Sequence, residues 1–246
     1  TQSTMFTPKN IVLIFAIISA FFAAPSFAQG DKTPQFEGLG GGTSPYYTNT
    51  AYTLTQEGDE NGCDMNTCTT GGKTATIYRA AYTDGSAVKI CVCEDAAMDP
   101  NYIATNFGTV PQMIRQYTSF ITVASVNPSG GAYSTGASST YFQPNMEMEV
   151  FVHESTHNFD FNKLGNGQTI SGLPEWQKGI DMDSCVPDGY AQTNNVEDFA
   201  QVVVLWMALA AQNTWIDCMA NQLGFVESFV PRDTLLDTMK PEFQAN

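Results

Sequence analysis

Apolar and polar side chains alternate through residues 74–82 (TATIYRAAY) and again through residues 87–93 (AVKICVC), with Asp84-Gly85 between the two runs. A period of two sends successive side chains to opposite faces of a strand, and Asp-Gly between two such runs is tight-turn chemistry, so this stretch predicts a β-hairpin. Further along the period lengthens. The chain after Asn145 and the chain from Asn194 or Asn195 through VEDFAQVVVLWMALAAQ both have the length and spacing of helices, with asparagine as a cap for the second. Pro111 opens a shorter helix through QMIRQYTSF, and NPSGGAYSTGASSTYFQP reads as loop with a strand inside it.

Two stretches stand outside this pattern. Residues 11–24 are a run of 14, apolar except for Ser19, behind Lys9, followed by Ser26-Phe27-Ala28, the small-residue spacing of a secretory leader. That run is shorter than the ~20 residues a membrane-spanning helix needs, and residues 202–211 are shorter still, so no transmembrane anchor is expected. Residues 29–55 are rich in Gly, Thr, Tyr and Ser without periodicity, as in an extended arm. The expected organisation is a leader over residues 1–28, an arm over 29–60 and one α+β domain over 61–246.

Six cysteines, all after the leader, imply a disulfide framework in an oxidising compartment. Cys91 and Cys93 share one strand face, so both look toward the same neighbouring segment. Pairing with Cys63 and Cys68 is expected, leaving Cys185 for Cys218. A four-cysteine zinc site is the rival for the first group, but the compartment and the Cys-x-Cys spacing disfavour it. A net charge of −15 repels phosphate backbones and anionic lipid, which removes nucleic acid and membrane from the expected partners. A monomer is expected.

The chain has two histidines, and both sit in EVFVHESTHNF, residues 149–159. His-Glu-x-x-His on a helix sets two imidazoles one turn apart on one face, where both reach a single Zn²⁺; Glu154, rotated away, can hold the metal's water and take its proton. The plain alternative is a coincidental match on a surface helix. A catalytic zinc takes a third protein ligand, and with the histidines spent it must be a carboxylate. Asp160 and Lys163 stand where the extended metzincin motif needs glycine and histidine, so that pattern is excluded. The third ligand must come from further along, and DGYAQTNNVEDFAQ, residues 188–201, is the best source.

Tyr190-Ala191-x-Thr193-Asn194-x-x-Glu197-x-Phe199-Ala200 resembles the second motif of glutamate-type zincins of the anthrax lethal factor kind. The resemblance implies Glu197 as third zinc ligand and Tyr190 as a helper that polarises a carbonyl, beside His153, Glu154 and His157. It covers about 60 residues, 151–209, and departs from the family pattern at Gln201, where a second glutamate is common. The wording of VFVHESTHNFD and DSCVPDGYAQTNNVEDFAQV is also similar to that of secreted fungal proteins described as peptidases or conidiation-related. Alternatives stay open: Glu197 can be the closing residue of a capping box begun by Asn194, and Asp198 can be the ligand in its place. Asp160 is a candidate to orient a ligand imidazole. Trp176 lines a groove or packs in the core.

These readings add up to a secreted zincin-like metalloprotease: a small twisted sheet, the His153–His157 helix beneath it, and a helical C-terminal half delivering Glu197. Zn²⁺ is the expected cofactor, Glu154 and Tyr190 the catalytic groups, and a protein or peptide the substrate. An edge strand along the cleft is placed in STGASSTYFQP. The second reading is a secreted zinc-binding structural or interaction protein with the same fold and no turnover.

Overall fold

The computed structural model describes residues 32–37, 46–59, 61–68, 74–96, 98–125, 131–142 and 146–244. The expected leader, residues 29–31, 38–45 and 60 of the arm, and Asn145 lie outside the described residues. The elements run β1 (Thr33–Pro34), β2 (Tyr52–Glu57), α1 (Met65–Cys68), β3 (Ala75–Tyr82), β4 (Ala87–Cys93), α2 (Pro100–Phe107), α3 (Gln112–Arg115), β5 (Phe120–Val123), β6 (Ala132–Thr135), β7 (Ser138–Tyr141), α4 (Met148–Asn162), α5 (Pro174–Met182), β8 (Cys185–Val186), α6 (Asn195–Gln212), α7 (Ala220–Phe229), α8 (Arg232–Leu236) and α9 (Pro241–Gln244). The result is an α+β protein with a mixed sheet.

Six strands form that sheet in the order β2-β3-β4-β5-β7-β6; β2, β3 and β4 are antiparallel, β5 is parallel to β4 and to β7, and β6 returns antiparallel on β7. The β3–β4 hairpin turns where Asp84-Gly85 predicts. Gly85 takes φ +87°, a conformation a Cβ would strain, and the Asp84 carboxylate accepts the Ser86 N–H at 3.0 Å.

The period of two in β4 decides what each face of the sheet meets. Ile90, with Ile121 and Tyr141 of the neighbouring strands, belongs to the main core together with Phe151 and Val152 of α4. Cys91 and Cys93 face the other way and are tied to the segment before β3 by the Cys63–Cys91 and Cys68–Cys93 disulfides. A third disulfide, Cys185–Cys218, fastens β8 to the short helical turn before α7. The cysteines are thus spent on cross-links, and none is left for a thiolate metal site.

The expected cleft-side edge strand needs correction. Gly136, at φ +64°, makes the turn inside STGASSTYFQP, so its second half becomes β7, an interior strand between β5 and β6. The edge is β6, Ala132–Thr135, just before most of that segment. Pairing on both sides removed β7 from the rim.

Helix α4 is buried almost all round, as a helix packed between a sheet and other helices must be. Tyr141 stacks on Phe151 at 4.7 Å between ring centroids on the sheet side, and α6 lies against the other side. Two buried polar side chains of α4 are engaged as donors: Thr156 Oγ1 donates to the Val152 carbonyl at 2.8 Å, and Asn158 Nδ2 donates to Thr118 Oγ1 and Ser139 Oγ at 2.9 Å each. Helix α6 is equally buried from Asp198 to Ala211. Asn194 caps its start by accepting from the Val196 and Glu197 N–H groups, and Asn213 closes its end at φ +52°. Trp176 of α5 packs edge-on against Phe199 and beside Phe225, its indole N–H donating to the Asn195 carbonyl at 3.2 Å. It is a core residue and lines no groove.

Candidate metal site

The spacing of α4 and the capping of α6 bring three donor groups together. His153 and His157, one turn apart on α4, present their Nε2 atoms to each other at 2.9 Å. Glu197, in the first turn of α6, places Oε2 3.0 Å from His153 Nε2 and 3.2 Å from His157 Nε2. These three residues form the one group of ligand-type side chains among the described residues whose donor atoms all lie within 4.8 Å of one another.

Asn194 Oδ1 accepts the Val196 and Glu197 N–H groups, but the Glu197 carboxylate does not return the bond to complete a capping box; it points across to α4. Asp198, about 100° further round, is fully buried on another side, where it accepts a hydrogen bond from Gln222. Asp160 does not orient an imidazole: one oxygen accepts the Ser171 N–H and the other its hydroxyl, both at 2.7 Å.

The donor set fits a zinc ion. Tetrahedral zinc with ligands at ~2.0–2.1 Å sets its donors about 3.3 Å apart, close to the separations of 2.9, 3.0 and 3.2 Å found here. Two imidazole nitrogens and a carboxylate oxygen are also ordinary zinc donors. Without a metal the same atoms share protons. Burial disfavours charge on His153, yet its bonds to Glu197 and Gln201 and the nearby Glu154 and Glu197 carboxylates win, raising its pKa above the usual imidazole value. Burial also works against a charged Glu197, but the two imidazoles hold its pKa well below the usual carboxylate range.

Glu154 lies outside the three-donor group. Ser134, on the edge strand β6, donates to its Oε2 at 2.9 Å and lies 2.8 Å from its carbonyl oxygen. Tyr190 stands just before α6, half exposed, its ring 5.8 Å from that of His153. Burial and the neighbouring Glu197 and Glu154 carboxylates push its phenol up to about 12. A cavity of about 400 Å³ opens beside these groups, lined by Glu147, Glu149, His153, Glu154, Tyr190 and Gln201 among others.

Three contributors have no motif to announce them. Ser134 anchors Glu154, Gln201 Oε1 lies 3.1 Å from His153 Nδ1, and Asp188 holds Gln201 at 2.8 Å. Only Gln201 carries a sequence signal, its place one turn after Glu197 on the same helical face.

Fold and site define a disulfide-stapled α+β protein with two imidazoles and a carboxylate converging at the wall of an acidic cavity. The chain belongs to the family described as conidiation-specific protein Con-13, whose model matches residues 44–232. Conidiation-specific protein 13 of Neurospora crassa is 29% identical over 157 residues, a match that takes in 60% of this chain and 45% of that relative, so the chain aligns with less than half of its length. No solved structure matches.

These comparisons overturn the zincin resemblance and the zinc peptidase expected from it. The matching model spans both motifs, His153–His157 and Tyr190–Glu197, and belongs to a family described by a developmental setting, with no peptidase family indicated. The physical reason is the reach of the signal. A resemblance over about 60 residues reports how side chains are spaced along two helices; it does not define the bond that is cleaved, or whether any is.

Proposed function

We propose that this member of the Con-13 family is a zinc-binding protein, with His153 Nε2, His157 Nε2 and Glu197 Oε2 as the protein ligands. The observation that carries the reading is the near-equilateral triangle of those three atoms, built from two helices. The wall of the cavity beside it supports an ion accessible from outside. Secretion is part of the reading, supported by three disulfides of the kind oxidising compartments maintain. The conidiation named for the Neurospora relative is the setting proposed here too.

Zinc bound in such a cavity supplies Lewis acidity and lowers the pKa of a coordinated water. Glu154, a carboxylate outside the donor triangle, lines the same cavity as His153, His157 and Glu197, and Ser134 engages one of its oxygens. That placement favours a second reading in which the cavity carries acid–base chemistry on a small ligand rather than storing or sensing zinc alone.

Isothermal titration of the purified, disulfide-intact chain with Zn²⁺ tests the first reading. One site is expected, lost in the His153→Ala/His157→Ala double variant; equal binding by both proteins contradicts it. Glu154→Gln separates the second reading, because it is expected to keep the zinc and to abolish turnover of an activated ester probe.

A further inference from the structure

Gln201 and Asp188 take no part in the donor triangle, yet they touch it in a way that fixes one ligand's chemistry. Gln201 follows Glu197 by one turn of α6, so both side chains leave the same face and meet the same imidazole from two sides. Glu197 Oε2 lies at His153 Nε2, 3.0 Å away, and Gln201 Oε1 at His153 Nδ1, 3.1 Å away. One helix therefore clamps both nitrogens of one ring.

An amide can turn either end toward a histidine, and the two choices have opposite consequences. With oxygen forward it accepts a proton from Nδ1 and leaves the Nε2 lone pair free; with nitrogen forward it donates to Nδ1 and drives the proton to Nε2, where a metal needs the lone pair. Asp188 decides between them. Its Oδ2 accepts from Gln201 Nε2 at 2.8 Å, and a carboxylate acceptor on that side commits the amide nitrogen and turns its oxygen to His153.

Asp188 is itself held. Its Oδ1 accepts the backbone N–H groups of Tyr190 and Ala191 at 3.0 Å each, and the residue is buried. Just before it, β8 pairs in parallel with β1 and is tied by Cys185 to Cys218. The carboxylate is thus fixed from both directions before it meets Gln201.

We propose that Asp188 and Gln201 form a positioning relay that sets the tautomer of His153, keeping its proton on Nδ1 and its Nε2 open to a divalent transition metal. The proposal rests on the zinc reading of the site.

Exchanging the two groups tests it. In Asp188→Asn, the substituted side chain keeps its oxygen on the two backbone N–H groups and turns its NH₂ toward Gln201; the glutamine flips to avoid two facing donors and presents its own NH₂ to His153. Zinc affinity is expected to fall ~10–100-fold, the range typical for loss of an outer-shell partner. Adding Gln201→Glu restores an acceptor at Nδ1 with the new amide at position 188 as donor behind it, and affinity is expected to return to near the starting value. A purely structural role predicts no such recovery.

The tautomer is read directly, since only two histidines contribute imidazole nitrogen signals. Nitrogen-15 spectra of metal-free Glu197→Ala, which removes the carboxylate that competes for the proton at Nε2, are expected above the His153 pKa to show His153 protonated at Nδ1, and at Nε2 once Asp188→Asn is added. This reading stands if the original chain binds no zinc, in which case the metal assignment fails and the relay does not. Protonation at Nε2 in Glu197→Ala overturns the relay. So does undiminished zinc affinity in Asp188→Asn, or a folded double variant that stays as weak as the single one. Should Asp188→Asn fail to fold, the spectrum of Glu197→Ala still decides.

Discussion

His153 Nε2 and Glu197 Oε2, forty-four residues apart in the chain, lie 3.0 Å from each other across the α4–α6 contact. Without metal this is a proton-sharing pair with opposite shifts. The raised pKa of His153 contributes stability that is present below the unfolded imidazole value of ~6.5 and is lost as pH rises through the folded value. The lowered pKa of Glu197 contributes stability that is present above its unfolded value of ~4.3 and is lost as pH falls through the folded value. The metal-free chain therefore gains most from the pair between those two unfolded values.

Zinc competes with that proton. Titration at pH 6 in two buffers of different ionisation enthalpy is expected to show about one proton released per ion, and affinity is expected to fall about tenfold per pH unit below the His153 pKa. Binding with no proton release and no pH dependence contradicts the pairing.

Neighbouring acids on α6 are expected to separate cleanly. Glu197→Gln removes a ligand and is expected to weaken zinc by more than the ~10–100-fold typical of outer-shell partners. Asp198→Asn, on another side of the helix against Gln222, is expected to leave zinc affinity unchanged. Calorimetric titration of both variants decides, and a zinc defect in Asp198→Asn with none in Glu197→Gln reverses the assignment.

Arg115 is the main buried cation away from the site. It pairs with Asp84, donates to the Gly108 and Val110 carbonyls at 2.9 and 2.8 Å, and stacks over Tyr82 with 4.3 Å to the ring centroid. Arg115→Ala leaves the Val110 carbonyl without its donor, while Gly108 keeps the Thr50 N–H, and a loss of about 1–3 kcal/mol is expected for the buried acceptor left unmet. Denaturant unfolding measures it; a loss under about 1 kcal/mol, the worth of a surface pair, contradicts this account.

The Cys185–Cys218 link closes a loop with a sequence separation of 33 and supports the strand just before Asp188. Replacing both by serine is expected to cost about 3–4 kcal/mol in the chain-entropy account. Excess zinc is expected to recover part of the loss, because a ligand that binds the folded chain at 100 times its Kd adds about 2.7 kcal/mol. Thermal unfolding with and without zinc tests both statements.

Much of this was legible where one local rule acted alone. The hairpin follows from alternation around Asp84-Gly85, α6 from its asparagine cap, and the cysteine pairing from two side chains on one strand face. The meeting of His153 and His157 was legible because helical spacing dictates it on α4, and Glu197 from its place seven residues after Tyr190 in the second motif. What escaped depended on long-range placement. That Ser134 would reach Glu154 follows from β7 entering the sheet interior and leaving β6 at the rim, and that Asp188 would reach Gln201 follows from β8 being held by β1 and a disulfide. Neither contact has a periodicity or a motif to reveal it. The expected peptidase failed for a different reason, because local spacing was read as a reaction.

The most direct test of the account is anomalous diffraction at the zinc absorption edge from crystals of the zinc-loaded chain. One peak is predicted ~2.0–2.1 Å from His153 Nε2, His157 Nε2 and a Glu197 carboxylate oxygen. A fully loaded crystal with no peak among those three atoms, or with its peak elsewhere on the acidic surface, contradicts it.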